Sequence, residues 1–213
     1  MKKTLTIDMV SDYACPWCYV GKRRLEVALA QCPDIEASVR LLPFQLSPNI
    51  PREGIDRKEH MISIFGEAKA ESIANNESGI GLDDDLVIRY VEGSKSPNTL
   101  STHVVSHYAL TQGKQSDFAE KVFEAYFAQG ENIGDHQVLL QLAEESGLAV
   151  DDLAEALASG QGEAELQQQI SQLKAKGVTG VPFFIINDKY GFSGAQPVAA
   201  FINAFQNISN ESA

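Results

Sequence analysis

A strand, a Cys-x-x-Cys motif and a helix follow one another without a break near the start of the chain. Residues 4–10 alternate apolar and polar side chains, which is the periodicity of a β-strand. The motif Cys15-Pro-Trp-Cys18 comes directly afterwards, and residues 19–32 carry an apolar stripe at helical spacing. A strand that runs into a helix begins a βαβ unit, so the cysteines are expected at the strand–helix junction of an α/β fold.

The remaining strands lie towards the two ends of the chain, with helices between them. Residues 35–44 have the character of a second strand. Strand character returns at residues 181–187, where a turn leads to the short strand 190–194 and a closing helix over 196–208. The order βαβ, helical block, ββα is the plan of an α/β thioredoxin fold with a large all-helical insertion. We expect a discontinuous thioredoxin-like domain and an insertion domain, with bounds at 1–47 plus 177–213 and at 48–176.

The central block contains several segments with the apolar period of helices. Asn98, Ser116 and Asp135 stand where helix N-caps are expected, and glycines follow several of the segments. Proline and glycine cluster at 47–54 and near 177–182, which is typical of boundaries between structural units. The predicted helical segments are 57–76, 98–113, 116–130, 135–147 and 161–177.

The composition argues against several classes of partner. The chain has 17 lysines and arginines against 29 aspartates and glutamates, so its formal net charge is -12. Such acidity disfavours nucleic acid and anionic membrane surfaces as partners.

The sequence has no run of about 18 apolar residues that could cross a membrane. It also has no apolar core of a secretory signal, and we therefore predict a cytoplasmic protein.

The three cysteines are too few for a disulfide framework. In a cytosolic protein a Cys-x-x-Cys pair is more often catalytic or metal-binding than structural. A structural zinc ion needs four ligands, yet Cys32 stands alone and the histidines form no matching pair. His103 and His107 share one helical face, but no acidic residue lies between them as it does in metalloproteases. We predict no metal site and interpret Cys32 as a free thiol.

The two motif cysteines fit a redox couple. Cys15 is placed near the N-terminus of the predicted helix, where unpaired N–H groups and the helix dipole favour thiolate over thiol. Cys18 lies one turn further along, close enough to attack a mixed disulfide formed by Cys15. Pro16 costs no hydrogen bond in a first helical turn, and Trp17 covers the site with an apolar surface. The alternative is an incidental pair of cysteines.

Two stretches carry a family resemblance: "SDYACPWCYVGKRRLE" at residues 11–26 and "GVTGVPFFIINDKYGFSGAQP" at residues 177–197. They resemble the DsbA-like thioredoxin family, in the branch called FrnE-like, and the resemblance runs over nearly the whole chain. It implies that Val181-Pro182 is a cis peptide facing the cysteines, with the backbone of Val181 open to pairing with an extended substrate. It also implies that Pro182 keeps a metal ion away from Cys15. The alternative is a trans proline that opens the strand.

Three further residues are candidates for modulating the thiols. Asp12 could adjust the stability of the Cys15 thiolate or take a proton from Cys18, and the alternative is a loop carboxylate. Asp8 lies on the first strand, where a buried carboxylate would assist proton transfer. His103 follows "SPNT" at a place where the insertion could lean over the site, and the alternative is an ordinary core or surface histidine.

Three functional hypotheses follow from these residues. The first is a protein disulfide oxidoreductase or isomerase, in which Cys15 and Cys18 act on protein or small thiol substrates through a mixed disulfide. It requires no cofactor, and glutathione is a candidate thiol partner. The second, implied by the resemblance, is a glutathione-dependent 2-hydroxychromene-2-carboxylate isomerase or kappa transferase; those relatives typically carry serine at the position of Cys15. The third is a non-enzymatic interaction module. The sequence does not decide whether the protein is a monomer or a homodimer.

Overall fold

The structure is a computed structural model that describes residues 3–75 and 79–211. Positions 1, 2, 76–78, 212 and 213, which the predicted domains and helical segments include, lie outside the described residues. The strands are β1 (Lys3–Ser11), β2 (Ile35–Pro43), β3 (Ile55–Asp56), β4 (Lys95–Ser96), β5 (Phe183–Ile186) and β6 (Tyr190–Ser193). The helices are α1 (Pro16–Ala30), α2 (Arg57–Phe65), α3 (Glu67–Ala74), α4 (Leu100–Thr111), α5 (Gln115–Glu124), α6 (His136–Glu145), α7 (Leu153–Ser159), α8 (Glu163–Ala175) and α9 (Val198–Glu211).

The main sheet joins strands from both ends of the chain. Its order is β2-β1-β5-β6, with β1 parallel to β2 and antiparallel to β5. Ile7, Met9 and Val10 of the central strand β1 are fully buried, and helix α1 packs beside α9. The turn from β5 to β6 passes through Asn187 and Asp188, which both have positive φ, a conformation that Asn and Asp tolerate well. The predicted order of strands and helices at both ends is confirmed.

The helical block differs in detail from the prediction. The segment predicted as one helix over 57–76 is divided into α2 and α3, because Gly66 between them has a φ of 79°, outside the helical region. Helix α7 was not predicted, nor was the small sheet of β3 and β4. A π-helical turn at Ala125–Gln129 extends α5. None of the described helices combines the length and the apolar character needed to cross a membrane.

The predicted N-caps have three different outcomes. Asp135 caps α6, where its carboxylate accepts hydrogen bonds from two N–H groups of the first turn. Asn98 lies one residue before the cap position of α4, but its side-chain oxygen accepts a hydrogen bond from the Leu100 N–H at 3.0 Å. The prediction for Ser116 is wrong, since Ser116 lies inside α5.

Aromatic side chains attach the central helices to α1. The ring of Tyr19 on α1 stacks on Phe123 of α5, with 4.9 Å between centroids and 12° between planes. Phe127 continues the stack at 6.3 Å from Tyr19. Such buried aromatic pairs contribute beyond the area that they bury, so the helix that starts at the cysteines is held by the central block. The domain bounds near residues 47 and 177 stay a prediction.

A network of ion pairs reinforces the same contact between α1 and α5. The Lys22 ammonium, whose side chain is 5% exposed, lies 2.7 Å from both Glu26 and Glu120. Glu120 also accepts hydrogen bonds from Arg23 at 2.8 Å and from the Tyr19 hydroxyl at 2.9 Å. Burial is the largest single influence and raises the pKa of Glu120, but the charge and hydrogen bond of Lys22, with smaller contributions from Tyr19 and Arg23, together hold that pKa below its usual value.

We expect the Glu120→Gln variant to be less stable than the wild type by about 1–2 kcal/mol, because Lys22 and Arg23 lose a charged hydrogen-bond acceptor. The loss is no larger because the Glu120 side chain is partly exposed to solvent. The lowered pKa means that this stabilisation is present above the unfolded-state pKa of about 4.3 and is lost as the pH falls below it. Urea unfolding at neutral and acidic pH measures both effects. Glu124→Gln, at an exposed position of α5, is the control. Equal midpoints for both variants at pH 7 would contradict the expectation.

Candidate active site

Cys15 occupies the N-cap position of α1, four residues after the end of β1. Its backbone is extended, with φ -95° and ψ 115°, and Pro16 fills the first helical position. The N–H groups at the start of a helix have no intrahelical partner, and those of Trp17 and Cys18 stabilise negative charge on the Cys15 sulfur. The sequence-based placement of Cys15 at a helix start is therefore correct.

The two motif cysteines lie 3.7 Å apart in unequal environments. Cys15 keeps 5% of its surface exposed and Cys18 keeps none. A hydrogen bond from the Cys18 side chain lowers the pKa of Cys15 and, together with backbone N–H groups, outweighs the effect of burial. Burial raises the pKa of Cys18 well above its ordinary value, and the hydrogen bond and charge of Cys15 raise it further. The pair can therefore carry one negative charge, and that charge rests on Cys15.

Asp12 is buried beside this pair, with 1% of its surface exposed. Its carboxylate accepts hydrogen bonds from the N–H of Leu46 at 2.7 Å and of Ala14 at 3.2 Å. Its backbone C=O accepts a hydrogen bond from the Cys15 N–H at 3.0 Å. The negative charge of Asp12 raises the pKa of Cys15 and so limits how far that pKa falls. Asp12 thus holds the loop after β2 at the site and acts on the thiolate through its charge.

His103 is buried in contact with the same region. Its ring centroid lies 5.2 Å from that of Tyr13, and its Nε2 is 2.9 Å from the C=O of Phe44. Burial lowers the pKa of His103, against the opposite effect of the Asp12 charge. The Tyr13 hydroxyl donates a hydrogen bond to Ser106 at 2.6 Å. These contacts match the core-histidine alternative, with a neutral imidazole that packs behind the active-site loop.

The role of Asp8 in proton transfer stays a prediction, and the structure gives its carboxylate another partner. Asp8 is buried, but both of its carboxylate oxygens are bound by the guanidinium of Arg40, at 2.7 and 2.8 Å. The two residues face each other in the register of β1 and β2. This bidentate ion pair across the sheet accounts for the burial of the carboxylate. Asp8 is therefore a structural partner of Arg40, and its contacts give no support to a role in proton transfer at the cysteines.

The Val181-Pro182 peptide lies against the cysteines and is cis, as the resemblance implied. The Cys15 sulfur lies 3.8 Å from the C=O oxygen of Val181, to which it donates a hydrogen bond when it is protonated. Pro182 packs on Gly21 of α1 so closely that a Cβ at Gly21 would lie 3.1 Å from the Pro182 Cγ. The missing side chain of Gly21 is therefore what allows this loop to approach α1.

Apolar side chains are exposed around the pair. Trp17, inside the motif, is 47% exposed, and Leu46, whose N–H binds Asp12, is 51% exposed. Pro16 and Val181 are half-buried. Exposed large apolar side chains beside a reactive group are a common feature of binding surfaces. The predicted substrate-binding residues Pro16, Trp17, Val181 and Pro182 thus flank Cys15.

Cys32 lies just beyond the end of α1 and keeps 9% of its surface exposed. It is a free thiol, as are Cys15 and Cys18. Over residues 3–75 and 79–211, no group of three or more His, Cys, Asp or Glu side chains is arranged to hold a metal ion.

Two residues of the site were missed by the analysis of the sequence, Gly21 and Ser11. Gly21 carried a signal, because glycine inside a helix costs about 1 kcal/mol relative to alanine and needs a packing reason. Ser11, the last residue of β1, is 1% exposed and lowers the pKa of Cys18. A serine at the end of a strand carries no such signal.

Nearly the whole chain matches one family of proteins. Residues 6–206 match the model of the DSBA-like thioredoxin domain. The chain belongs to this family. As a DSBA-like protein it is 30% identical over 191 residues to the uncharacterized protein YwbO of Bacillus subtilis (strain 168), which covers 87% of this chain and 88% of YwbO.

Solved structures share the fold of this DSBA-like protein. The probable DsbA oxidoreductase from Streptomyces coelicolor has a TM-score of 0.82 and 27% identity, covering 95% of this chain and 89% of that one. A 2-hydroxychromene-2-carboxylate isomerase has a TM-score of 0.71 and 16% identity, covering 97% of both chains. The cytosolic disulfide reductase DsbM from Pseudomonas aeruginosa, also solved with GSH, has a TM-score of 0.59 and 17% identity, covering 98% and 100%. The predicted α/β thioredoxin fold with a helical insertion and the DsbA-like resemblance are confirmed.

Proposed function

We propose that this DSBA-like protein is a thiol–disulfide oxidoreductase that acts through Cys15 and Cys18. The proposal depends on two cysteines that lie 3.7 Å apart and whose pKa values are shifted in opposite directions. The surroundings favour the thiolate form of Cys15 and the protonated thiol form of Cys18. A nucleophile with a lowered pKa beside a second, protonated thiol is what a two-step exchange of disulfides requires.

In the first step the Cys15 thiolate attacks one sulfur of a substrate disulfide. A Cys15–substrate disulfide forms, the substrate S–S bond breaks, and one substrate sulfur leaves as a thiolate. In the second step Cys18 attacks the Cys15 sulfur, forming the Cys15–Cys18 disulfide and releasing the second substrate sulfur with the proton of Cys18. Two electrons pass from the cysteine pair to the substrate. The reverse sequence oxidises a substrate dithiol, and the reduction potential of the pair decides the direction.

The surroundings of Cys15 favour extended polypeptides as substrates. Trp17 and Leu46 offer apolar surface on which the side chains next to a substrate cysteine can pack. The backbone of Val181, just before β5, provides polar groups with which an extended chain can pair in the manner of an added strand. Retention of both cysteines argues against the isomerase or transferase alternative, whose chemistry uses one hydroxyl at position 15.

We propose glutathione as a thiol partner and the cytoplasm as the location. Both proposals draw on DsbM, described as a cytosolic disulfide reductase and solved with GSH. Glutathione is itself a short extended peptide with a central cysteine, so the Val181 backbone and Cys15 would treat it as a small version of a protein substrate.

Two measurements test the oxidoreductase proposal. Catalytic amounts of the protein should accelerate the reduction of insulin disulfides by dithiothreitol. The rate of Cys15 alkylation by iodoacetamide should rise with pH around a midpoint below the value of about 8.5 for an unperturbed cysteine, because the site favours the thiolate. No acceleration of insulin reduction, together with a midpoint at or above that value, would refute the proposal.

A further inference from the structure

Arg24 lies on α1 in the stretch that follows the two cysteines, and its guanidinium makes three short hydrogen bonds. Its Nε and Nη2 donate to the two carboxylate oxygens of Asp84, each at 2.8 Å. Its Nη1 donates to the backbone C=O of Ala195, also at 2.8 Å. The side chains of Arg24 and Asp84 are 21% and 10% exposed, so water screens this ion pair only in part.

The residue that Arg24 holds is next to a partner of the Val181-Pro182 loop. Gly194, directly before Ala195, donates its N–H to the C=O of Pro182 at 2.8 Å. Gly194 has a φ of 83°, a conformation that favours glycine, so the chain can turn here as it leaves β6. Arg24 is thus connected to Pro182 by two hydrogen bonds and the short piece of backbone between them.

Helix α1 contacts both ends of the hairpin formed by β5 and β6. Gly21 and Arg24 are three residues apart and therefore lie on the same face of α1. Gly21 packs on Pro182 before β5, and Arg24 binds Ala195 after β6. The packing at Gly21 limits how closely the loop can approach the helix, whereas the bond from Arg24 holds the turn after β6 towards it.

Asp84 fixes the direction of the guanidinium from the side of the helical insertion. It is the last residue of the single helical turn Leu82–Asp84. Because its two oxygens bind Nε and Nη2, the plane of the guanidinium is set and Nη1 is directed at Ala195. A lysine ammonium lacks this planar fork and cannot make the same set of three bonds. The arrangement therefore requires arginine at position 24.

We propose that Arg24 is a positioning residue, which holds the Val181-Pro182 loop where the backbone of Val181 can pair with an extended substrate. This inference rests on the proposed function. The Cys15 thiolate is stabilised by N–H groups of α1 and by Cys18, whereas Arg24 binds other partners. Loss of the Arg24 contacts should therefore impair the attack on disulfides within a polypeptide and spare the attack on small disulfides that have no peptide backbone.

The test compares two disulfides of these two kinds. Insulin presents its disulfides in a polypeptide, and dithionitrobenzoate is a small aromatic disulfide that releases a coloured thiolate when it is attacked. In Arg24→Lys we expect the rate constant for insulin reduction to fall about tenfold, the effect of one hydrogen bond to the substrate, and that for dithionitrobenzoate to change less than about twofold. The pH midpoint for Cys15 alkylation should equal that of the wild type.

Asp84→Asn tests whether the carboxylate acts through Arg24. The amide keeps the size of the side chain but loses the charge and one of the two acceptors. Insulin reduction should therefore fall in the same direction as in Arg24→Lys, by a smaller factor. Because both substitutions act on one set of contacts, the double variant should be no slower than Arg24→Lys alone. A double variant slowed by the product of the two single effects would overturn this route.

Glu120→Gln is the control, because it also removes an ion-pair partner of α1, but on the side that faces α5. Its ratio of the two rate constants should equal that of the wild type. An unchanged rate of insulin reduction in Arg24→Lys, or an equal fall for both disulfides, would overturn the inference alone. A wild-type protein that reduces neither disulfide would instead overturn the proposed function.

Discussion

Cys15→Ser is expected to lose catalysis of insulin reduction by more than about 10³-fold, as is typical when a nucleophile is removed. A serine hydroxyl is not ionised by the N–H groups of Trp17 and Cys18, and Cys18 cannot replace Cys15 because it is fully buried and its pKa is raised. The measurement is the initial rate of insulin precipitation with dithiothreitol as the reductant. Cys32→Ser is the control and should keep the wild-type rate.

Cys18→Ser should fail at a different step. Cys15 can still attack a disulfide, but the mixed disulfide cannot be resolved and accumulates. After treatment with glutathione disulfide, mass spectrometry should find one glutathione on Cys15 in Cys18→Ser and none on residue 15 in Cys15→Ser. In Cys18→Ala, which has no donor at this position, the initial attack should also be slower near neutral pH than in the wild type, because the hydrogen bond that contributes most to lowering the pKa of Cys15 comes from Cys18. An unmodified Cys18→Ser protein would contradict the mechanism.

The main sheet could be predicted because each of its strands is marked by local patterns. The nine residues of β1 are long enough to show an alternation, and the motif stretches frame β5 and β6. The shorter elements lack such patterns. β3 and β4 have two residues each, and α7 has seven, with Leu153 and Leu157 forming a single helical repeat. Where an element is shorter than two repeats, periodicity cannot reveal it.

Only those parts of the site that are formed by residues close together in the sequence could be predicted. Cys15 and Cys18 are three residues apart, so helix geometry alone brings them together. The ion pair of Asp8 could not be foreseen, because its partner Arg40 is 32 residues away and a single sequence carries no sign of that pairing.

Gly21 could be predicted in part. A glycine inside a helix indicates close packing, but the residue that packs against it is distant in the sequence and could not be predicted. A glycine inside α1 weakens the helix relative to alanine, so the position must gain from the missing side chain. Pro182, 161 residues later in the chain, supplies the reason, together with Phe184 behind it: a Cβ at Gly21 would lie 3.1 Å from Pro182 and 3.2 Å from Phe184. The helix that activates Cys15 and the loop that faces it are thus brought together at one residue.

We expect Gly21→Val to destabilise the protein by about 1–3 kcal/mol through overpacking against Pro182. The larger effect should be on catalysis. The Cys15 sulfur lies 3.8 Å from the C=O of Val181, and a branched side chain at residue 21 must push that loop away from α1. A displacement of about 1 Å at a reacting centre can cost about 10²-fold in rate, and insulin reduction should fall by that order.

Ala30→Val separates this effect from the general consequence of placing a β-branched side chain in α1. Ala30 is an exposed residue in the last turn of α1, so a branched side chain there weakens the same helix without touching the Pro182 loop. Its rate of insulin reduction should stay near that of the wild type. In Gly21→Val the pH midpoint for Cys15 alkylation should change little, since the N–H groups of α1 and Cys18 are retained. A normal rate of insulin reduction in Gly21→Val would show that the close approach of Pro182 to α1 is not needed for catalysis.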